Sequence, residues 1–305
     1  MMKRPSPLVL LVLATLLWGG NFVIGRAVTG SMPPVALSFF RWCTALVVFF
    51  PFAWPHVKKE WRQIKQYWPI VLLMSITGVA GFNTLVYIAL NHTTSINASL
   101  VNSMTPIMIY MLSFFMLKEH LNRNQMIGTL ISIIGVLFII SKGSLANLLG
   151  FSFNIGDIVI IGGVICWSIY SIFVKQYAGK LPSYSTFFVT IALGIIMLVP
   201  FLIMELYNEQ TQIIWTLSSI LSVLYVGVFA SIVAFISWNT AVAEMGANKA
   251  GIFLNLIPVF ATLFAIIFID ERLAWFQITG GAFVVIGVYL STRRPSKSRI
   301  KETAS

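Results

Sequence analysis

Residue types that carry acid–base or metal chemistry are scarce in this sequence and stand apart from one another. Its 305 residues include 9 Asp and Glu, 3 His and 2 Cys. The histidines fall in predicted loops, and Cys43 and Cys166 lie in apolar stretches without metal-ligand spacing. Asp157, Glu205 and Glu244 lie near the ends of apolar runs rather than at their centres. Because acid–base or metal catalysis needs several such groups to converge, the sequence disfavours an enzyme and predicts no cofactor and no metal.

The remaining candidates for a binding site are aromatic and amide side chains inside apolar runs. Trp18 and Asn21 are three residues apart, and Asn83 and Tyr87 are four apart, so each pair shares one face of a helix. The full set of predicted substrate-binding residues is Trp18, Asn21, Asn83, Tyr87, Asn102, Trp167, Tyr170, Asn239 and Asn255. Together they predict a pocket with aromatic walls and a few amide donors and acceptors, suited to a small zwitterion or an aromatic metabolite.

The segments that carry these residues are too apolar for a soluble domain. Hydrophobic residues make up 58% of the chain and charged residues only 10%, against about 25% charged residues in an average soluble protein. The net charge of +11 does not indicate a nucleic-acid partner, because the basic residues fall between apolar runs rather than along one face. The composition predicts an integral membrane protein.

Ten apolar stretches are candidates for membrane-spanning helices, each of which needs roughly 20 mostly apolar residues. They are 8–28, 34–54, 68–90, 95–116, 125–141, 156–175, 183–204, 214–240, 249–268 and 273–291. The first is too long for the apolar core of a signal peptide and lacks a clear cleavage site, so we expect it to be retained. The predicted fold class is all-α integral membrane, with ten transmembrane helices.

Basic residues are distributed unevenly between alternate connections. With the N-terminus in the cytoplasm, 16 of the 20 Lys and Arg residues fall inside and three, Arg26, Lys142 and Arg272, fall outside. Because cytoplasmic loops carry the excess of Lys and Arg, both termini are predicted to be cytoplasmic. The prediction is a multi-pass protein of the cell membrane, with membrane lipids as partners and a basic tail against anionic headgroups.

The two halves of the chain resemble each other in sequence when one is aligned on the other. A shift of 149 residues aligns Trp18 with Trp167, and a shift of 152 aligns Pro106 with Pro258. The longer shift also matches Glu119 with Glu271, Gln125 with Gln277, Gly128 with Gly280 and Gly135 with Gly287. Residues 1–145 and 146–305 are therefore predicted to be two five-helix repeats. Because five is odd, the second repeat is predicted to lie inverted in the membrane, around a pseudo-two-fold axis.

Three segments make the chain resemble the drug/metabolite transporter superfamily, EamA type. They are Leu17-Trp18-Gly19-Gly20-Asn21-Phe22, Phe115-Met116-Leu117-Lys118-Glu119-His120-Leu121 and Ile269-Asp270-Glu271-Arg272-Leu273. The resemblance covers residues 8–291 and implies ten helices around a central cavity. It does not fix the substrate, since relatives carry amino acids, amines, nucleotide sugars and drugs.

The predicted function is secondary transport, without ATP, of a small metabolite such as an amino acid, an amine or a drug-like compound. Efflux by alternating access is the favoured mode, since inverted repeats allow one site to open to either side in turn. The alternatives are an intramembrane enzyme and a membrane scaffold that transports nothing. The sequence does not fix the oligomeric state and is compatible with a monomer.

Several candidates have structural interpretations that compete with a functional one. Each Asn could bond a neighbouring helix, and each Trp could face lipid or the interface. Pro106 and Pro258 remove a backbone donor and are expected to kink helices, either as hinges for gating or as simple bends. Glu119 and Glu271 are expected mainly to cap the helices that follow them, with gating as the alternative. The four aligned glycines are expected to let helices approach closely.

Arg41 is the basic residue that lies well inside a predicted span. An ionisable residue in the membrane is a functional candidate by default, and Arg41 could bind a carboxylate. It could also extend to the interface or bond backbone carbonyls at the turn between the first two helices. Because the second helix is peripheral in the resembled fold, the structural role is favoured.

The predicted topology can be tested by labelling single cysteines in intact cells. Cysteines placed at Asn91 and Asn208 should react with an impermeant external thiol reagent, because both sites are predicted to lie outside. Cysteines at Gln63 and Lys180 should not react. Labelling of either of these from outside would contradict the inverted arrangement of the two halves.

Overall fold

The computed structural model describes residues 5–28, 30–92, 101–150, 155–207, 212–269 and 274–293, and this part of the chain contains helices and turns but no strand. Five helices come from the first half: α1 (Pro7–Ala27), α2 (Pro34–Gln66), α3 (Trp68–His92, with a π-helical segment at Ser75–Gly81), α4 (Thr105–Leu117) and α5 (Arg123–Ile140). Five come from the second: α6 (Ile155–Gln176), α7 (Ser183–Leu206), α8 (Leu217–Met245, with a π-helical segment at Val226–Val233), α9 (Ala247–Gly251, a 3-10 turn at Ile252–Asn255, then Leu256–Ile269) and α10 (Trp275–Thr292). A short helix, Leu145–Leu149, lies between α5 and α6.

Eight of these helices are long and apolar enough to cross a membrane, while α4 and the part of α5 from Arg123 to Ile139 form shorter apolar helices. The predicted span 95–116 begins before the described residues resume at 101, so only its second part, α4, can be compared. The largest difference is in α2, which was expected to end near residue 54. It continues past Pro51 and Pro55 to Gln66, because the Lys, Arg, Glu and Gln residues that follow are good helix formers.

Helix α5 begins with a capping box rather than with a glutamate. Asn122 accepts from the backbone N–H of Gln125, whose side chain accepts in turn from the N–H of Asn122. The expectation that Glu119 caps α5 is therefore wrong, because a nearer residue with a short side chain satisfies the free N–H groups. Glu119 instead accepts a hydrogen bond from Asn248 Nδ2 at 2.9 Å. Glu271 lies outside the described residues.

The π-helical segments of α3 and α8 overlap when the chain is shifted by 152 residues. A π-helical turn breaks the regular i→i−4 pattern and leaves carbonyl groups free for other donors. Trp42 donates its indole N–H to the Val79 carbonyl, and Trp18 donates to the Ala230 carbonyl, each at 3.0 Å. Both segments thus bind a tryptophan from another helix, which fixes the distance between the helices.

The helices of the two halves pack in reciprocal pairs. Helix α1 packs on α8, and its counterpart α6 packs on α3; α1 also packs on α9, as α6 packs on α4. Helix α2 packs on α7, and α5 packs on α10. The basic residues at the ends of α1 and α6 also match, because Arg26 donates to the Leu90 carbonyl and Lys175 donates to the Ala243 carbonyl. Every one of these contacts has a counterpart when the halves are exchanged.

Helices α5 and α10 touch through glycines. A Cβ on Gly128 would lie 2.5 Å from the Gly287 carbonyl oxygen, and a Cβ on Gly135 would lie 2.5 Å from that of Gly280. The close approach fits the packing role expected for these four residues. Gly128 thus meets Gly287, the counterpart of Gly135, and Gly135 meets Gly280, the counterpart of Gly128. An interface between two copies related by a two-fold axis has the same pattern.

Replacing Gly135 with Ala should lower the free energy of unfolding by about 1–3 kcal/mol, because the new methyl group would push α5 and α10 apart. The matched control is Gly281→Ala in α10, where the nearest atom to the new Cβ is Val259 Cγ1 at 3.9 Å. Thermal unfolding in detergent measures both variants. Equal stability of the two would contradict the close contact of the helices.

Candidate functional site

Four aromatic side chains from three helices meet between the two halves of the chain. Trp18 of α1 and Trp167 of α6 pack edge to face, with ring centroids 5.0 Å apart. Phe235 and Trp238 of α8 lie 5.7 Å and 5.5 Å from Trp18, and all four are buried. Trp18 and Trp167 are buried rather than exposed on the outer surface of the bundle, and their role in a pocket stays a prediction. Edge-to-face packing of this kind stabilises the contact beyond simple burial.

A cavity lies beside this aromatic cluster. Five of the predicted binding residues line it, together with five apolar ones: Trp18, Asn21, Asn83, Asn102, Trp167, Phe22, Phe82, Val86, Leu254 and Ile257. The side chains leave room in this cavity for only about one water molecule. Five of the nine predicted binding residues therefore line one small cavity.

Arg41 is fully buried behind Asn21 and Asn83, two residues that line this cavity, and its hydrogen bonds join four helices. Its Nε donates to Ser231 Oγ at 2.8 Å, and its Nη1 donates to Asn83 Oδ1 at 2.8 Å and to the Tyr87 hydroxyl at 2.7 Å. The Tyr87 hydroxyl donates to Asn21 Oδ1 at 2.8 Å, and Nη1 lies 3.5 Å from the same oxygen. These bonds connect α2 with α1, α3 and α8.

The surroundings of Arg41 differ from both structural roles expected for it. The guanidinium does not extend to the interface, and its hydrogen bonds go to side chains rather than to backbone carbonyls. The ring of Trp42 lies 5.1 Å from its central carbon, which adds a cation–π contact. None of the described residues bonds its Nη2. The position of α2 outside the central helices did not predict this, because the arginine side chain is long enough to reach inward.

A matching pair of residues lies toward the opposite end of the bundle. Asn239 Nδ2 of α8 donates to the Tyr170 hydroxyl of α6 at 2.8 Å. Tyr170 follows Asn21 by 149 residues and Asn239 follows Tyr87 by 152, so each half has one tyrosine–asparagine pair, with the two residue types exchanged. Tyr170 and Asn239 line a separate small gap rather than the cavity. The residue aligned with Arg41 is Thr190, so the guanidinium has no counterpart in this half.

The other predicted residues lie farther from the aromatic cluster or have structural contacts. Asn255 is fully buried and donates to Ser132 Oγ of α5 at 3.0 Å, which fits the alternative of a bond to a neighbouring helix. Pro106 is the second residue of α4, and Pro258 follows the 3-10 turn of α9. Each proline occupies the first turn of a helical segment, where its missing N–H leaves no bond unmade, and the expected kinks stay predictions. A hinge role stays a prediction.

Sequence reasoning left out two members of the site, Trp238 and Ser231. Trp238 lies three residues after Phe235, a spacing that places both on the same face of α8. Ser231 gave no signal, because a serine in an apolar run usually bonds its own helix, as this one also does by donating to the Val226 carbonyl. Within the described ranges, no group of three or more His, Cys, Asp and Glu residues could hold a metal ion.

Comparison with known proteins decides the family. The description "EamA-like transporter family" matches residues 5–141 and again residues 154–293. The chain belongs to the EamA-like transporter family. The match occurs twice, once in each half, and covers most of the chain. The apolar helices and this membership make it a multi-pass membrane protein of a transporter family, as the sequence predicted.

Relatives of this EamA-like transporter are similar over almost their whole length. The uncharacterised transporter YyaM of Bacillus subtilis (strain 168) is 24% identical over 94% of this chain and 93% of its own length. A probable amino-acid metabolite efflux pump of Salmonella typhimurium (strain LT2) is 25% identical over 92% of this chain and 93% of its own. A solved structure, titled only as a crystal structure of a protein, matches with a TM-score of 0.76 at 21% identity and covers 95% of this chain and 97% of its own. That likeness concerns the fold alone.

The two tyrosine–asparagine pairs should differ in how much they stabilise the protein. Tyr87→Phe should lower the free energy of unfolding by about 1.5–3 kcal/mol, because it removes a hydrogen bond to a charged group. Tyr170→Phe is the matched change in the other half and should cost about 0.5–1.5 kcal/mol, because its partner is a neutral amide. Chemical unfolding in detergent measures both. A larger loss for Tyr170→Phe would contradict the central role of the Arg41 cluster, which consists of Arg41, Asn21, Asn83, Tyr87 and Ser231.

Proposed function

We propose that this protein is a secondary transporter that moves a small metabolite across the cytoplasmic membrane by alternating access, with export as its direction. The observation that carries the proposal is the meeting of Trp18, Trp167, Asn21 and Asn83 around one cavity between the two halves. Aromatic walls with a few fixed polar groups are typical of small-molecule sites. The name of the Salmonella typhimurium relative supports an amino-acid metabolite as substrate and efflux as direction.

An inverted pair of five-helix repeats, with ten spans in total, is part of the proposal. The reciprocal packing of α1 with α8 and of α6 with α3 supports it, as do the glycine contacts between α5 and α10. Two similar halves around an axis in the membrane plane can rock against each other and expose one site to either side. The small size of the cavity supports an occluded state, from which one half must move to admit the substrate.

Two polar clusters at opposite ends of the bundle are the proposed gates. In the predicted orientation the Arg41 cluster lies in the outer half, and the pair of Tyr170 and Asn239 lies in the inner half. The bond from Arg41 to Ser231 joins the two halves of the chain, so an outward opening at this point must break it. Glu119 and Asn248 form a second bond between the halves, on the predicted cytoplasmic side.

We also propose that transport does not depend on a proton bound in the middle of the membrane. Among the described acidic residues, Asp157, Glu205 and Glu244 lie in the first or last turn of a helix. Proton-coupled carriers commonly use a carboxylate or histidine within the membrane. The simpler mechanism is facilitated efflux or exchange, and the same residues give no support to an intramembrane enzyme.

Counterflow in proteoliposomes tests this function. Vesicles preloaded with unlabelled amino acids, amines or nucleosides should accumulate the labelled compound in the absence of a pH gradient. The screen identifies the substrate and the coupling together. Strict dependence of counterflow on a pH gradient would show that a proton site exists, and absence of counterflow for every compound would contradict the transporter proposal.

Replacing Trp18 or Trp167 with Ala should weaken binding of the substrate found in that screen by about 1–3 kcal/mol, because the cavity loses an aromatic wall. The control is Trp61→Ala, since Trp61 is exposed near the end of α2 and does not line the cavity. Expression and thermal stability are measured in parallel. Unchanged binding in both cavity variants would show that the substrate site lies elsewhere.

A further inference from the structure

The starting observation is a buried positive charge whose hydrogen bonds are incomplete. An arginine guanidinium keeps its charge in proteins and carries five N–H donors. Arg41 is fully buried, its four hydrogen-bond partners are neutral amides and hydroxyls, and no described residue accepts from its Nη2. No carboxylate among the described residues bonds to it. A buried charge without an opposite charge is strongly destabilising, and an ionisable residue in the membrane commonly marks a ligand site.

The free donors are on the edge of the guanidinium that matches a carboxylate. Nε and Nη2 present parallel N–H groups, and a carboxylate binds such an edge with two hydrogen bonds. The Nη1 edge is taken by Asn83 and Tyr87, while on the other edge only Nε is bonded, to Ser231. None of the four partners is a second cation, which suits a singly charged carboxylate better than a doubly charged phosphate.

The guanidinium of Arg41 lies close to the substrate cavity. Asn21 and Asn83 line the cavity and also accept hydrogen bonds from Arg41, so the guanidinium lies one side chain behind the cavity wall. The hydroxyl of Ser231 has another partner, since it also donates to the Val226 carbonyl. A ligand oxygen can therefore replace it at Nε without leaving the serine unbonded.

Resting on the transporter function proposed above, we infer that the substrate carries a carboxylate group, which binds the Nε–Nη2 edge of Arg41 and displaces Ser231. The carboxylate neutralises the buried charge, and the rest of the substrate lies against Trp18 and Trp167. Because Ser231 belongs to the second half of the chain, its displacement also breaks the bond that Arg41 makes across the two halves. Binding of the substrate and opening of the Arg41 cluster are thereby the same event.

The test compares each free acid with its primary amide, which has the same shape but no charge. The probes are L-amino acids and aliphatic monocarboxylic acids, each beside its amide, measured by thermal shift of the purified protein and by counterflow. At least one acid should bind while its amide does not. Arg41→Met should weaken binding of that acid by about 10- to 100-fold, because a charge-assisted hydrogen-bonded pair is lost.

A second variant keeps the test sound if Arg41→Met does not fold. Ser231→Ala removes the competing hydroxyl and should strengthen binding of the acid by about 3- to 10-fold. The matched control is Ser237→Ala, a change at another buried serine of α8, which should leave the affinity unchanged. A merely structural role for Arg41 predicts no gain in Ser231→Ala.

The outcomes separate this inference from the function on which it rests. Counterflow with equal affinity for acids and amides overturns the carboxylate site and leaves the transporter standing. Binding of an acid that depends on Arg41, without any counterflow, supports the site and contradicts the transporter. If no acid binds and no compound shows counterflow, both the carboxylate site and the transporter proposal are contradicted.

Discussion

The structure depends on one constraint, which is that a polar group surrounded by apolar helices must find its partners inside the protein. Arg41 is the most demanding case, because its charge and its five donors cannot be satisfied by any single helix. Its position draws α1, α3 and α8 to α2 through Asn21, Tyr87, Asn83 and Ser231. The hydrophobic effect alone would not fix this arrangement, since apolar side chains have no strong preference between lipid and one another.

Many of the same contacts recur in both halves, and the exceptions centre on Arg41. The tryptophans, the tyrosine–asparagine pairs and the π-helical segments all have counterparts. The counterpart of Arg41 is Thr190, and that of Asn83 is Phe235. The charge thus makes one end of the bundle polar and strongly bonded, while the other relies on one neutral pair and aromatic packing. Under the proposed alternating-access mechanism, this difference would give the two openings unequal free energies.

Much of the fold could be predicted, because the length and apolar character of membrane-spanning helices can be read directly from the sequence. The bounds of α1, α6 and α7 differ from the predicted spans by one or two residues. The pairing of Trp18 with Trp167 agrees with the internal alignment. The partners of Arg41 could not be predicted, because its long side chain reaches three other helices and spacing within α2 says nothing about them. Spacing alone did not exclude the capping role of Glu119 either, because Asn122 accepts from the first turn of α5 while Glu119 accepts from Asn248, a residue far away in the sequence.

The exchanged tyrosine–asparagine pairs have a consequence for how this chain can vary over evolution. A phenol and an amide together fill a fixed distance between two helices, and it does not matter which helix supplies which. Two asparagines would leave a gap, and two tyrosines would not fit without moving the helices apart. A change at position 170 is therefore expected only together with a compensating change at position 239. Positions 21 and 87 are less free to vary, because the Tyr87 hydroxyl also accepts a hydrogen bond from Arg41, which holds the tyrosine on α3.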